Sequence, residues 1–291
     1  MLHTIKNSVM SAVIDEMGAQ LMRLTAADGT EYLWSGDEAF WRNRAPHLFP
    51  YVGRLTGDRY TYGGREYEMT HHGFAKSLPF SVVEEGEEHI TLYLSDTEET
   101  RRVYPFAFTF SVAYALEGST LSVTYHVENR DGKDMYFGLG AHPGFRVPLE
   151  EGRAFTDYRL TFRQKCCPWQ VLLSDQYMIS GQEAPYPLEE DRVLPLRHDL
   201  FDRDAVILKH MDRTVTLSAG EGSRGLTMSF PRMRYLGVWH TPKTEAPFVC
   251  LEPWLSLPSR QGVVEDLSQQ NDLTALRPGE RYENRWTVTI F

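Results

Sequence analysis

The sequence predicts an all-β protein, a large antiparallel β-sandwich with only a few short helices, and three observations carry that expectation. Apolar residues recur mainly with period two, the spacing of a strand with one buried face, and seldom with period 3.6. The periodic runs are short and are broken by turn signals at Asp28-Gly29, Gly63-Gly64, Asp131-Gly132 and Gly220 to Gly225, the punctuation of a sandwich or barrel. Aromatic residues are abundant, with 15 Tyr, 15 Phe and 6 Trp, and they suit a pleated, half-buried surface. The chain has 291 residues. Because β-sandwiches run to roughly 250 residues as one unit, one domain over 1–291 is expected.

Taken in order, short strands are expected at Leu2–Asn7, Met10–Ile14, Ala19–Leu24, Tyr32–Trp34, Asp58–Tyr62, Glu66–Met69, Phe80–Val83 and Ile90–Leu94. A brief helix at Asp96–Val103 follows, with Asp96 as cap and Glu99 at the capping-box position. The clearest hairpin comes next. Phe106, Phe108, Phe110, Val112, Tyr114 and Leu116 share one face, Glu117-Gly118-Ser119 turns the chain, and Leu121, Val123, Tyr125 and Val127 return on the same face. Further strands are expected at Leu160–Phe162, Ala205–Lys209, Val215–Ser218, Leu226–Phe230, Leu236–Trp239 and Phe248–Leu251. A second short helical stretch is expected at Asp199–Asp202. At the C-terminus Pro278-Gly279-Glu280 turns into a strand on which Trp286, Val288 and Ile290 alternate with polar residues. Glu183 to Pro195, rich in Pro and Glu, reads as a long surface loop.

Composition narrows the function. With 42% hydrophobic and 24% charged residues the chain is that of a folded globular protein. A formal net charge of −10 without a clustered basic face argues against nucleic acid. No apolar run approaches the ~20 residues of a membrane helix, and no signal peptide is evident at the N-terminus. Cys166, Cys167 and Cys250 form no CxxC or even framework, which suggests reduced thiols in a cytoplasmic protein. No sequence feature specifies an oligomeric state.

Several mechanisms are set aside. Gly220-Glu-Gly222-Ser-Arg-Gly225 fits G-x-G-x-x-G, but Leu226 to Phe230 after it reads as strand. The helix N-terminus that would meet a pyrophosphate is therefore missing, and a hairpin turn is expected instead. There is no G-x-S-x-G elbow and no Walker loop.

The residues with chemistry lie elsewhere. In Tyr136-Phe-Gly-Leu-Gly-Ala-His-Pro-Gly-Phe145 an apolar run leads to His142, which Pro143 forces into an extended conformation, with open space left by Gly138, Gly140 and Gly144. A histidine so placed either moves protons near neutral pH or closes a turn. Arg54, between prolines and glycine, is either a surface ion pair or a fork aimed at a ligand oxygen. His71 and His72 are neighbours, and in an extended segment they point to opposite faces, so at most one reaches a given site. That geometry also weakens a metal reading. Asp202 and Asp204 precede an apolar strand; one caps a turn and the other faces a cleft. Glu252 ends an apolar strand before Pro253-Trp254. There desolvation raises a carboxyl pKa and makes a usable base, unless an arginine pairs with it. Trp239 is either an apolar face for a sugar ring or core.

Together these segments resemble the aldose 1-epimerase (galactose mutarotase-like) family, and its LacX-type bacterial branch in particular. The resemblance rests on Glu31-Tyr-Leu-Trp34 with Trp41, Ala45-Pro-His-Leu-Phe-Pro50 with Val52-Gly-Arg-Leu55, His72-Gly-Phe-Ala75, Gly140-Ala-His-Pro-Gly-Phe145, Phe201 to Leu208, and Leu251-Glu-Pro-Trp254. These occur in family order over nearly the whole chain. The resemblance implies a β-supersandwich, a small-molecule sugar substrate, and neither metal nor cofactor. It also implies sugar-contacting roles for Arg54, His72 and an aspartate of the Asp202/Asp204 segment, of which Asp204 is preferred because it stands directly against the following strand, and a catalytic pair of His142 as acid and Glu252 as base. On this reading burial raises the Glu252 pKa while His142 stays near neutrality. Two other classes fit less well: a non-catalytic sugar-binding or regulatory module, which has no need of an acid–base pair, and a glycoside hydrolase using Glu252 and Asp204 as its two carboxylates. A metal-dependent cupin-type isomerase lacks its His-x-His spacing.

Overall fold

The computed structural model describes residues 1–291 and is almost entirely β. Two large sheets dominate, and every paired strand in them is antiparallel. The first has nine strands, running from Val193–Pro195 at one edge to Ser81–Glu85 at the other, with Arg281–Ile290, Thr120–Asn129 and Phe108–Glu117 at its centre. The hairpin read from the sequence sits in that centre: Leu121 pairs with Leu116, Val123 with Tyr114, and Val127 with Phe110. Phe108, Phe110, Val112, Leu121, Val123 and Trp286 are all buried on its inner face. The second sheet has eight strands. Seven run in the order Ile179–Pro185, Trp169–Leu173, Val206–Lys209, Tyr235–Trp239, Phe248–Trp254, Gly140–Ala141 and His47–Leu48, while Gly144–Arg146 pairs with Phe248–Trp254 off this path. Leu2–Lys6, Met10–Asp15 and Leu21–Ala26 form a separate three-stranded sheet.

Alternation along the second sheet puts its two faces to different uses. Val206, Leu208, Leu236, Val238, Val249 and Leu251 join the main core between the sheets. Leu48, Val52, Val171, Ile207 and Trp254 form a smaller cluster on the other face. Strand Phe248–Trp254 is buried at all seven positions, because it has sheet neighbours on each side and is covered on both faces.

Four expectations need correction. The expected loop Glu183 to Pro195 contains parts of two strands, Ile179–Pro185 and Val193–Pro195. Each is the edge strand of its sheet, where proline is tolerated and no apolar alternation is required. Tyr32–Trp34 makes only the bridge Leu33 to Phe145. The helix is Glu98–Val103, and its cap is Thr97 with Thr100 in the reciprocal position, not Asp96 with Glu99. Asp96 instead accepts from the backbone N–H of Phe108 at 2.9 Å and tethers the hairpin. The run Phe248–Leu251 continues as strand through Trp254. Gly225 opens a strand paired with Thr214–Ser218, so Gly220 to Gly225 is the expected hairpin turn.

Candidate active site

On the outer face of the eight-stranded sheet lies a cavity of about 280 Å³. Its floor follows from strand register. Ile207 pairs with Gly237 and Gly237 with Glu252, so these three form one row across the sheet, all on the cavity face. Gly237 fits closely there: a Cβ would stand 3.0 Å from the Trp254 ring and 3.2 Å from the Glu252 Cβ. Two residues along and so on the same face, Trp239 pairs with Cys250 and forms a side wall.

Glu252 is 1% exposed and His142 8%. Their side chains meet at 3.2 Å, His142 Nε2 to Glu252 Oε2. His142 reaches this position because its strand breaks after Ala141 and resumes at Gly144, and its backbone N–H is held by the Pro46 carbonyl. Trp41 stacks on the imidazole at 4.8 Å and Trp239 meets its edge at 5.5 Å. Burial, reinforced by Asp204 nearby, holds the Glu252 carboxyl well above its ordinary range, as desolvation of a strand-end carboxylate predicts. The expectation for His142 is corrected. Its imidazole does not stay near neutrality; burial pushes its pKa well down, and the positive charges around it add to the effect. Nδ1 of His142 and Nε1 of Trp254 are buried without hydrogen-bond partners.

The neighbouring histidines also differ from expectation. His72 adopts a left-handed backbone, φ 64°, so residues 71 and 72 are not an extended pair on opposite faces. Their rings lie 3.7 Å apart and both border the cavity. Gly73 follows in the same conformation, φ 69°; a side chain there would run into the Phe49 carbonyl. His72 Nδ1 accepts from the Gly53 backbone N–H at 3.0 Å. That bond fixes the tautomer, leaving Nε2–H as a donor. Burial keeps His71 and His72 neutral, lowering both pKa values, His71 to about 3.

Arg54 and Asp204 border the same cavity. The Arg54 guanidinium lies over the Tyr177 ring, 5.7 Å from its centre. Asp204 has φ 78°, a conformation aspartate tolerates better than most residues. Its carboxyl pKa is raised by burial, with hydrogen bonding to Trp239 and the Arg54 charge opposing. Asp202 is exposed, so of the two aspartates only Asp204 enters the cavity. All six residues singled out in the sequence, His142, Glu252, Arg54, His72, Asp204 and Trp239, therefore border one space. His71, Trp41, Lys76 and Tyr177 also border it and were not assigned to the site; no local pattern marks a tryptophan in an irregular segment as part of a site formed elsewhere. His47, from the same segment as Arg54, points the other way. It is 1% exposed, with Nδ1 2.8 Å from the Tyr125 hydroxyl and Nε2 2.7 Å from that of Tyr114.

One group of three potential metal ligands occurs, His142, Cys250 and Glu252, whose ligand atoms lie within 4.8 Å of one another. Burial holds the protons of Cys250 and Glu252 tightly, so a cation there must displace both.

Comparison with known proteins agrees with this architecture. Residues 1–288 match the family model for aldose 1-epimerase. The chain is 30% identical to the plasmid form of Protein LacX from Lactococcus lactis subsp. lactis, over 98% of each chain. A galactose mutarotase related enzyme from Lactobacillus acidophilus superposes with a TM-score of 0.95 at 32% identity, covering 100% of this chain and 97% of that one. A galactose mutarotase-like protein from Lactobacillus casei gives 0.94 at 34% identity, with both chains fully covered. The chain belongs to the aldose 1-epimerase family, in its LacX-type branch.

Proposed function

We propose that this protein is a mutarotase that interconverts the α and β anomers of an aldopyranose by general acid–base catalysis. The observation that carries the reading is the buried His142–Glu252 contact of 3.2 Å at a cavity of monosaccharide size. At about 280 Å³ the cavity lies just below the roughly 300–1,000 Å³ of pockets for drug-sized ligands, which suits one sugar ring better than an oligosaccharide.

Glu252 takes the proton of the C1 hydroxyl while His142 delivers one to the ring oxygen. The C1–O bond of the ring breaks and an open aldehyde results. Rotation about C1–C2 presents the opposite carbonyl face, and closure by the reverse proton transfers gives the other anomer. Each group contributes on the order of 10²–10⁴-fold. Arg54 and the Nε2–H of His72 hold ring oxygens and stabilise the charge that develops on them. Asp204 accepts from a sugar hydroxyl, and Trp239 covers an apolar face of the ring. The same reading takes residues 1–291 as one domain.

The test is polarimetry on freshly dissolved α-D-glucose and α-D-galactose. Wild type is expected to accelerate mutarotation of at least one of them or of a charged derivative. His142→Asn and Glu252→Gln should each lower kcat/KM by roughly 10²–10⁴-fold with circular dichroism unchanged. Acceleration that survives Glu252→Gln removes Glu252 as the base. Release of reducing sugar from a disaccharide would instead favour the two-carboxylate hydrolase, and saturable sugar binding without turnover the binding module.

A further inference from the structure

We propose that the sugar accepted by this cavity carries an anionic substituent, a phosphate ester or a carboxylate, and that Lys76, with Arg54 beside it, is the group that receives it. The proposal rests on the mutarotase reading and narrows its substrate.

Lys76 lies in the short turn Ala75–Ser77 and borders the cavity. Its Nζ donates to the His71 carbonyl and, at 3.0 Å, to the Gly73 carbonyl. An ammonium has three N–H donors, so one remains after the turn is served. Neither Lys76 nor Arg54 is ion-paired, whereas the paired lysines and arginines of the chain lie elsewhere. The carboxyl groups bordering the cavity are Asp204 and Glu252. Asp204 faces Arg54 and Trp239, and Glu252 is taken by His142. No carboxylate faces Lys76.

The surrounding histidines register the consequence. The protonated forms of His71 and His72 are disfavoured by both Arg54 and Lys76, and that of His142 by Lys76. No carboxylate offsets this at His71 or His72. The cavity thus holds two cations, Arg54 with Asp204 near it and Lys76 with no carboxylate partner, inside a chain of net charge −10. Neutral hydroxyls need donors and acceptors but no excess charge. A half-buried ammonium without a counter-ion is costly, and an anionic substituent arriving with the substrate offsets that cost. Arg54 alone serves a neutral sugar equally well; Lys76 has no task on a neutral sugar beyond holding its turn.

The experiment compares anomer exchange of glucose and galactose with that of their 6-phosphates and of the corresponding uronic acids, by NMR, on the full chain. At least one anionic sugar is expected to show a kcat/KM about ten-fold or more above its neutral parent. A gain with the phosphates alone assigns a phosphate ester, and a gain with the uronic acids alone a carboxylate. In Lys76→Met the ratio of anionic to neutral kcat/KM should collapse toward one, and Lys76→Arg should retain most of it. Neutral sugars turned over as well as or better than every anionic one overturn the proposal and leave the mutarotase reading standing. An equal loss on both classes in Lys76→Met shows that the lysine only holds its turn, and likewise overturns it. Where no aldose is turned over, the mutarotase reading itself fails. Glucose 6-phosphate titrated against the fluorescence of the cavity tryptophans then decides: no saturable change at millimolar concentration overturns the anion site, and a saturable change that glucose does not produce supports it.

Discussion

In the proposed reaction one proton shared between His142 and Glu252 is decisive. Burial opposes charge on both, lowering the imidazole and raising the carboxyl, which favours a neutral pair with its proton on Glu252. The proposed reaction needs the same proton on His142 and an ionised Glu252. That is a tautomer of the resting pair, at the same protonation level, and substrate binding only has to move the proton across 3.2 Å. The pH profile follows. Activity falls at acid pH only when the pair gains a second proton, and the lowered imidazole pKa moves that event below the ordinary 6.5 of histidine. The measured kcat/KM should therefore hold to within about two-fold from pH ~7 down to ~5.5; an acid limb centred near 6.5 would contradict this assignment. Stability carries the opposite sign for Glu252. A carboxyl whose folded pKa is raised contributes fully below its unfolded value of 4.5 and loses that contribution as pH rises toward the folded value. At neutral pH wild type bears this cost and an amide does not. Glu252→Gln is thus expected to melt no lower than wild type and to gain on the order of 0.5–2 kcal/mol, read by thermal denaturation, while losing activity.

At the scale of elements, the site depends on strands that place side chains and on turns that break regularity. Gly237 is the plain case of the first. A methyl group there presses on both Trp254 and Glu252, so Gly237→Ala should displace the base with little effect on the sheet ladder. The contacts call for a shift of a few tenths of an ångström, well short of the 1 Å that costs about 10²-fold, so kcat/KM should fall by about ten-fold while the melting temperature drops only modestly; a fully active variant would show that the proposed base is not held from this side. The turn through His71, His72 and Gly73 illustrates the second. Two consecutive left-handed residues bring both rings to the cavity, and no pattern in His71-His72-Gly73 announces that conformation for His72. The proline-bearing edge strands were hidden for a related reason. Their outer backbone groups face solvent, so apolar alternation is not required of them.

For the whole molecule, the core between the sheets also supports the site. Phe110, from the central hairpin, stacks on Phe49 at 4.5 Å, and Phe49 lies between His47–Leu48 and the segment that carries Arg54. Phe110→Ala should cost about 3–5 kcal/mol, measured by urea unfolding, and should weaken substrate binding as the Phe49 support relaxes. A loss confined to stability, with KM unchanged, would mean that the Arg54 segment is held without it. Through the bonds of His47 to Tyr114 and Tyr125, the same segment is tied to the nine-stranded sheet as well.

The sequence by itself determined the β class, the central hairpin, the hairpin turn at Gly220 to Gly225 and the order of family segments, because period-two burial and turn chemistry are local and leave local traces. It also marked His142 and Glu252 by local pattern, since a histidine before proline and a carboxylate closing an apolar strand are unusual enough to see one at a time, while Arg54, His72 and Asp204 were marked by the family resemblance and Trp239 was left as either sugar face or core; all six border one cavity. Only the tertiary structure decided their company. Strand register set Glu252 beside Gly237, loop conformation admitted both His71 and His72, and Asp204 rather than Asp202 turned inward. The protonation states depend on it most. Desolvation is a property of everything packed around a group, so the His142 pKa fell well below its ordinary value through burial by Trp41, Trp239 and Glu252, which are far from it in the chain and against it in the fold.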